Sequence, residues 1–205
     1  MKCSACLEKQ RCEDCGVVID NTGKVFDLTT NIDQLIAAKF HEKLGMTEAA
    51  YRGSWPKTAV QPPAYAGRFD TPLLVDTTIK EFDYNFWVKR EGCEDLVTRE
   101  MPARYIAWTQ LDKYIDKSVE EVRGLLHGDE VELTVSEGLM LPVQCENHLR
   151  KYAVDLCGSR FGSSGAPYVV WWFGHVRPGM DARGVGGRDP GYGSGSRGIE
   201  VISVG

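Results

Sequence analysis

The sequence has no apolar run that approaches the roughly 20 residues needed to span a bilayer. Its first residues, Met-Lys-Cys-Ser-Ala-Cys, lack the apolar core of a secretory signal. We therefore expect no membrane association and a cytoplasmic location. Of the 205 residues, 42% are apolar and 26% are charged, a composition typical of folded domains rather than disordered chains. A domain of this length can bury about 70% of its unfolded surface.

Common catalytic signatures are also missing. The sequence contains no Gly-x-Ser-x-Gly, His-Glu-x-x-His or His-x-Glu…Cys-x-x-Cys pattern, and no Gly-Lys-Ser/Thr of a phosphate-binding loop. Adjacent carboxylates occur at 94–95 and 129–130, in segments that favour solvated turns over an acid–base pair. These absences favour a protein without enzymatic activity.

Positive charge is not concentrated along the chain. The net charge is −5, and residues 79–157 contain ten basic and sixteen acidic side chains. Residues 158–205 contain five basic and three acidic ones, and all five bases are arginine. Binding along a nucleic-acid backbone relies on clustered lysine and arginine. A nucleic-acid partner is therefore not favoured, whereas a local arginine site for an anion stays open.

Four cysteines lie in two pairs near the N-terminus: Cys3, Cys6, Cys12 and Cys15. Two residues separate the members of each pair, so both thiolates can turn toward one metal ion, and tetrahedral coordination by four sulfurs suits structural zinc. Gly16 follows the second pair, where the turn needs a residue that tolerates positive φ. The sequence predicts Zn²⁺ bound by these four cysteines, with no open position for catalysis.

The residues after the cysteines extend this prediction. Residues 17–26 have the pattern of a strand, a turn and a second strand, as in the hairpin of a zinc ribbon. The five residues between Cys6 and Cys12 are fewer than a usual ribbon has. Disulfides, reduced thiols and an iron–sulfur cluster are the alternatives, although seven cysteines are an odd number for disulfides and the ferredoxin spacing is absent.

Capping residues and helical spacing predict two helices early in the chain. Thr30 or Asn31 caps a helix that runs to about Leu44 and stops at Gly45. Thr47 opens a further short helix.

Three more helices are predicted later in the chain. The first begins at Pro102 and continues to Ile115. The second opens with the capping box of Ser118, runs through Leu126 and is closed by Gly128, and the third covers residues 146–156. Strands are predicted at 73–75, 82–88, 95–101, 131–135, 167–176 and 199–204.

These elements predict an α+β fold with a mixed or largely antiparallel sheet and helices on one side. Residues 1–28 are predicted to form the zinc-knuckle hairpin as an appendage, and residues 29–205 a single α+β domain. That domain contains a proline-rich loop at 53–72 and a glycine-rich loop at 179–198, with eight glycines in twenty residues.

The glycine-rich loop contains three arginines: Arg183, Arg188 and Arg197. Glycines let backbone N–H groups converge on an anion, and a guanidinium binds phosphate or carboxylate through two parallel hydrogen bonds. An anion site is therefore one interpretation of the segment, and a flexible surface or partner-binding loop is the favoured one.

Cys145 and His148 lie three residues apart on a predicted helix, and Cys157 and His175 follow them. A spacing of three places two side chains on one helical face, so a second metal site or a Cys–His pair is one interpretation. Buried free cysteine is the simpler one, because the sequence shows nothing that would activate a thiol.

Three functional hypotheses follow. The first is a non-enzymatic, zinc-stabilised module that binds another protein or serves as an assembly subunit, including one of a viral or phage particle. The second is an enzyme that acts on a phosphorylated small molecule or nucleotide through the glycine-rich loop. The third is a zinc-ribbon regulator that binds nucleic acid.

The zinc prediction has a direct test. Native mass spectrometry with metal analysis should find one zinc ion per chain, and Cys12→Ser should lose both the zinc and part of the thermal stability, because three thiolates no longer close the site. A metal-free wild-type protein would contradict the prediction and favour redox-active or simply reduced cysteines.

Overall fold

The computed structural model describes residues 24–65, 68–79, 82, 85–86, 90–96, 99–126 and 128–205. It shows a mixed α/β fold in which a curled sheet is accompanied by few helices. The helices are α1 (Thr29–Ala37), α2 (Phe40–Lys43), α3 (Glu48–Gly53), α4 (Val119–Leu125), α5 (Val135–Gly138), α6 (Leu141–Gln144) and α7 (Glu146–Leu149). Within the described ranges, no helix has the length and apolar character to cross a membrane.

The strands form two sheets. They are β1 (Val25–Asp27), β2 (Thr58–Val60), β3 (Thr71–Asp76), β4 (Asn85–Phe86), β5 (Cys93–Asp95), β6 (Arg104–Ile115), β7 (Glu130–Glu132), β8 (Ala153–Asp155), β9 (Ser159–Phe161), β10 (Gly165–Trp172), β11 (Arg177–Gly184), β12 (Tyr192–Gly198) and β13 (Ile202–Ser203). β1 pairs only with β2 among the described strands. The larger sheet has the order β13-β6-β12-β8-β10-β11-β4, with β3 and β7 added at β6 and β12. Most neighbours are antiparallel, while β12–β8 and β11–β4 are parallel, so the predicted mixed architecture is confirmed.

The helix predicted from Pro102 to Ile115 is wrong, because this segment is the long strand β6. β6 pairs with β3 on one side and with β12 and β13 on the other. Its residues from Tyr105 to Thr109 are all buried. A strand covered on both faces loses the alternation of polar and apolar residues, and the resulting apolar recurrence resembled a helical period.

The glycine-rich segment 179–198 is also not a single loop. Most of it is β11 and β12, and only residues 185–191 connect the two strands. Two glycines of β12 have neighbours too close for a side chain: a Cβ at Gly195 would lie 2.5 Å from Leu133 Cδ1, and one at Gly198 would lie 2.3 Å from Tyr65 Cε2. The glycines here permit close packing of a central strand, which composition cannot distinguish from flexibility.

Several predicted elements have other bounds in the structure: the strands predicted at 95–101, 167–176 and 199–204 are Cys93–Asp95, Gly165–Trp172 and Ile202–Ser203. The strand predicted at 131–135 ends at Glu132, and Val135 already begins α5. The helix predicted at 146–156 ends at Leu149, and β8 follows it. In both places an apolar run crosses a change of secondary structure, so the hydrophobic pattern alone gives the wrong boundary.

The predicted helix ends near residues 45 and 118 are confirmed. Gly45 has φ +65 after α2, and Ser118 forms the predicted capping box with Glu121 at the start of α4. Thr47 accepts the N–H of Ala50 and caps α3. The first helix is interrupted, however, because Lys39 takes a left-handed conformation between α1 and α2.

The hydrophobic core lies between the sheet and α1, α3, α5 and α6. Among its fully buried side chains are Leu35, Tyr51, Leu74, Trp108 and Leu139. The described part of the proline-rich segment 53–72 is not simply an irregular loop, because it contains β2 and a 3-10 turn. It contributes Trp55, Ala59, Tyr65 and Phe69 to the core. The predicted appendage 1–28 lies mostly outside the described residues.

The glycines of the sheet give a matched test of packing. Gly198→Ala should lower the free energy of unfolding by about 1–3 kcal/mol, because its methyl group would enter the ring of Tyr65. Gly184→Ala, in β11, meets nothing within 4 Å and should leave stability nearly unchanged. Urea unfolding of both variants checks this, and equal stability of the two would contradict the close approach at Gly198.

Candidate functional site

The predicted zinc ligands Cys3, Cys6, Cys12 and Cys15 lie outside the described residues, so the zinc site stays a prediction. Within the described ranges, no group of three or more histidine, cysteine, aspartate or glutamate side chains is arranged to hold a metal ion. This part of the chain offers no second metal centre.

The four residues considered for a second site lie in separate surroundings. Cys157 donates to the hydroxyl of Ser194 at 3.0 Å. His148 packs against Tyr152, with ring centroids 5.7 Å apart. His175 lies in an exposed turn between β10 and β11, and Cys145 lines a surface groove.

The described thiols are poor nucleophiles. Burial raises the pKa of Cys145 and of Cys157 to about 12, and burial followed by the charge of Asp95 raises the pKa of Cys93 to about 11. At neutral pH these thiols stay protonated, and the thiolate is the form that attacks an electrophile. Cys157 is buried, in agreement with the simpler interpretation of a buried cysteine, whereas Cys93 and Cys145 are half-buried.

The three arginines of the predicted anion site bind three different carboxylates. Arg183 forms a bidentate pair with Asp155, through Nε to Oδ1 at 2.9 Å and Nη2 to Oδ2 at 2.5 Å. Its guanidinium also stacks 4.2 Å from the ring centre of Tyr192. Burial raises the pKa of Asp155, and the hydrogen bonds from Arg183 oppose that rise.

Arg188 connects the turn after β11 to α4. Its guanidinium contacts the carboxylate of Glu121 through two nitrogens, and the arginine side chain is 57% exposed. The backbone N–H of Ser118, and then Arg188, lower the pKa of Glu121. The N–H of Glu120 also donates to the carbonyl of Val185 at 3.1 Å, which holds the turn against the helix start.

Arg197 is buried, at 1% exposure, and its Nε donates to Glu137, which is fully buried. Glu137 also accepts the hydroxyl of Tyr105 at 3.1 Å and the N–H and hydroxyl of Thr134 at 2.7 and 2.9 Å. An anion would have to share each arginine with its carboxylate. The anion site at Arg183, Arg188 and Arg197 stays a prediction, and this geometry gives it no support.

The most exposed large apolar side chains of the described residues lie in the turn between β10 and β11. We define residues 173–176 as the hairpin tip. Phe173 is 68% exposed and Val176 is 72% exposed. The tip is closed below by the Trp172–Arg177 pair of the two strands, and the N–H of His175 donates to the carbonyl of Trp172 at 3.1 Å.

The backbone of the tip is strained at Val176, whose φ is +52. A β-branched residue in this left-handed region costs about 1–2 kcal/mol, and glycine would adopt the same conformation at no steric cost. The tip does contain a glycine, Gly174, but not at this position. A conformation that costs stability and exposes an apolar side chain is typical of a site that binds a partner.

A groove of about 550 Å³ begins at the base of the same hairpin. Trp171 of β10 pairs with Pro178 of β11, two residues below the tip, and both line the groove. The end of α1 and the α6–α7 segment form its other wall. Arg150 stacks on the ring of Trp171 at 3.9 Å and rigidifies this wall.

Sequence reasoning missed the hairpin tip. The run from Trp171 to Phe173 reads as one apolar strand, and core packing accounts for Trp171, which is buried. The available signal was the glycine at position 174, which marks a turn inside the run. It would have separated the buried tryptophan from the exposed phenylalanine.

Two glutamates allow a matched test of the buried ion pair. Glu137 and Glu121 each accept the N–H of the residue before their helix and each bind an arginine of the C-terminal segment. Glu137→Gln should cost about 3–5 kcal/mol, because it leaves Arg197 buried without a counter-charge. Glu121→Gln should cost much less, since water reaches Arg188. Urea unfolding measures both, and equal losses would contradict the difference in burial.

No protein-family model, curated protein or solved structure matches this chain. The function proposed for it therefore depends on its own side chains. Among the described residues, the exposed and strained hairpin tip beside the groove is the arrangement best suited to bind a partner.

Proposed function

We propose that this chain is a non-enzymatic module that binds another protein through its hairpin tip. The single observation that supports this most is the exposure of Phe173 and Val176 together, on a backbone strained at Val176. Burying two such side chains in a partner contributes favourable free energy, and aromatic residues in a partner's pocket dominate many interfaces. In the free protein, the exposure of these two side chains does not stabilise the fold.

The charges at the tip indicate the kind of partner. His175 and Arg177 flank the two apolar side chains and are exposed. Arg177 makes no ion pair with any described residue. An apolar pocket with an acidic rim would complement this tip. A second copy of the chain is disfavoured, because two basic tips facing each other across a two-fold axis would repel.

The groove extends the proposed contact surface. Its apolar part includes Ala37, Ala38, Pro142, Trp171 and Pro178. A partner segment that follows the phenylalanine pocket could lie in this groove and bury its apolar side chains. The tip would then contribute the anchor residue, and the groove would contribute the complementary contacts around it.

The zinc-stabilised N-terminus and the placement of helices on one side of the sheet remain parts of this proposal. So does a role as a subunit of a larger assembly. The enzymatic alternative has less support, because Arg183, Arg188 and Arg197 already bind carboxylates. The nucleic-acid alternative rests only on the predicted zinc ribbon and faces a net charge of −5.

Substitutions at the tip should separate binding from stability. Phe173→Ala should weaken binding by about thirtyfold or more, which corresponds to about 2 kcal/mol. Val176→Asn should weaken binding and also raise the unfolding free energy by about 1 kcal/mol, because asparagine tolerates the left-handed conformation. Leu125→Ala is the matched control, since Leu125 is exposed on α4. Titration calorimetry and urea unfolding give the two readouts.

The partner is found first by photo-crosslinking from position 173, with position 125 as the control site, and is then purified for the titrations. Binding that survives Phe173→Ala would contradict the proposal. If the purified chain forms a dimer and Phe173→Ala abolishes that dimer, the partner is a second copy of the chain and not a different protein. A Val176→Asn variant that loses stability would contradict the strain assigned to the tip.

A further inference from the structure

A second polar cavity lies away from the hairpin tip. We define it as the arginine cleft, a cavity of about 260 Å³ whose lining includes Arg90, Asp95, Arg99, Tyr105, Thr134 and Ser136. It shares no lining residue with the groove. It is also distinct from the predicted anion site. Arg197 of that site does not line the cleft and is connected to it only by way of Glu137.

The cleft has an excess of positive charge. Arg90 and Arg99 line the cleft together with one acidic residue, Asp95, whose carboxylate already accepts the hydroxyl of Ser159 at 2.5 Å. Arg99 is anchored by a hydrogen bond from Nη1 to the carbonyl of Ile199 at 2.7 Å, so its other N–H groups stay available. Arg90 makes no ion pair with the described residues. This is an arrangement that attracts an anion.

Two hydroxyl groups of the lining have fixed proton directions. The hydroxyl of Tyr105 donates to one oxygen of Glu137, and the hydroxyl of Thr134 donates to the other. A hydroxyl has one proton, so each of these oxygens can only accept a further hydrogen bond from a ligand. Glu137 thus leaves the hydroxyl oxygens of Tyr105 and Thr134 as acceptors, while Arg90 and Arg99 contribute guanidinium donors to the same cleft.

We infer that the arginine cleft binds a small phosphate ester that also has hydroxyl groups, such as a phosphorylated short polyol. The phosphate, with about two negative charges at neutral pH, would lie between Arg90 and Arg99. The ligand hydroxyls would donate to the oxygens of Tyr105 and Thr134. The volume suits a ligand smaller than the drug-sized molecules that occupy pockets of about 300–1,000 Å³.

The test is titration calorimetry of the full-length chain with four probes. Glycerol 3-phosphate should bind saturably. Propyl phosphate lacks the hydroxyls and should bind about fivefold more weakly or worse, and inorganic phosphate should do the same. Glycerate has the hydroxyls but only one negative charge and should also bind more weakly. Equal or tighter binding of any of these three would overturn the assigned ligand class.

Variants locate the site. Arg90→Gln and Arg99→Gln should each weaken glycerol 3-phosphate binding by about tenfold or more. Arg188→Gln is the matched control, because this exposed arginine belongs to the other candidate anion site, and it should leave the affinity unchanged. Loss of binding in Arg188→Gln, with retention in Arg90→Gln, would overturn the cleft as the site. Absence of saturable binding by the wild-type chain would do the same.

Two further measurements keep the result decisive. Arg99→Gln also removes the hydrogen bond to Ile199, so circular dichroism must show that this variant is folded. If the Arg99→Gln variant is not folded, the result for Arg90→Gln decides the outcome. Phe173→Ala should bind glycerol 3-phosphate as the wild type does. Failure of the cleft and failure of the proposed protein interface are therefore separate results.

Discussion

The fold depends on one buried ion pair, between Arg197 in β12 and Glu137 in α5. Both side chains lie in the interior, where an unpaired charge would cost several kcal/mol. Glu137 satisfies its remaining acceptor capacity with Tyr105 of β6 and Thr134. The pair therefore fixes a helix start against two central strands, and its full hydrogen bonding is the condition under which a buried charge is tolerated.

Ion pairs between an arginine and a carboxylate recur at two other places in the molecule. Arg183, Arg188 and Arg197 all belong to the basic C-terminal segment, and their carboxylates all belong to the acidic segment 79–157. The uneven charge distribution along the chain is thus partly neutralised in the folded protein. These arginines attach β11, β12 and the turn between them to the rest of the fold.

Both proposed binding sites lie where side chains are not fully covered or paired by other described residues of the protein. At the hairpin tip, Phe173 and Val176 stay exposed and Val176 is strained. In the arginine cleft, Arg90 has no carboxylate partner among the described residues. The exposed apolar side chains on a strained turn and the two arginines that line one cleft are the observations on which the two proposals rest.

The sequence by itself determined the helix caps at Ser118 and Thr47 and the mixed α/β class, because these depend on neighbouring residues and on local patterns. It gave β6 the wrong secondary structure, since burial on both faces removes the alternation that marks a strand. Only the tertiary structure decided that the three arginines bind carboxylates and that Phe173 is exposed while Trp171 is buried. Those outcomes depend on contacts between residues far apart in the chain, which local patterns do not encode.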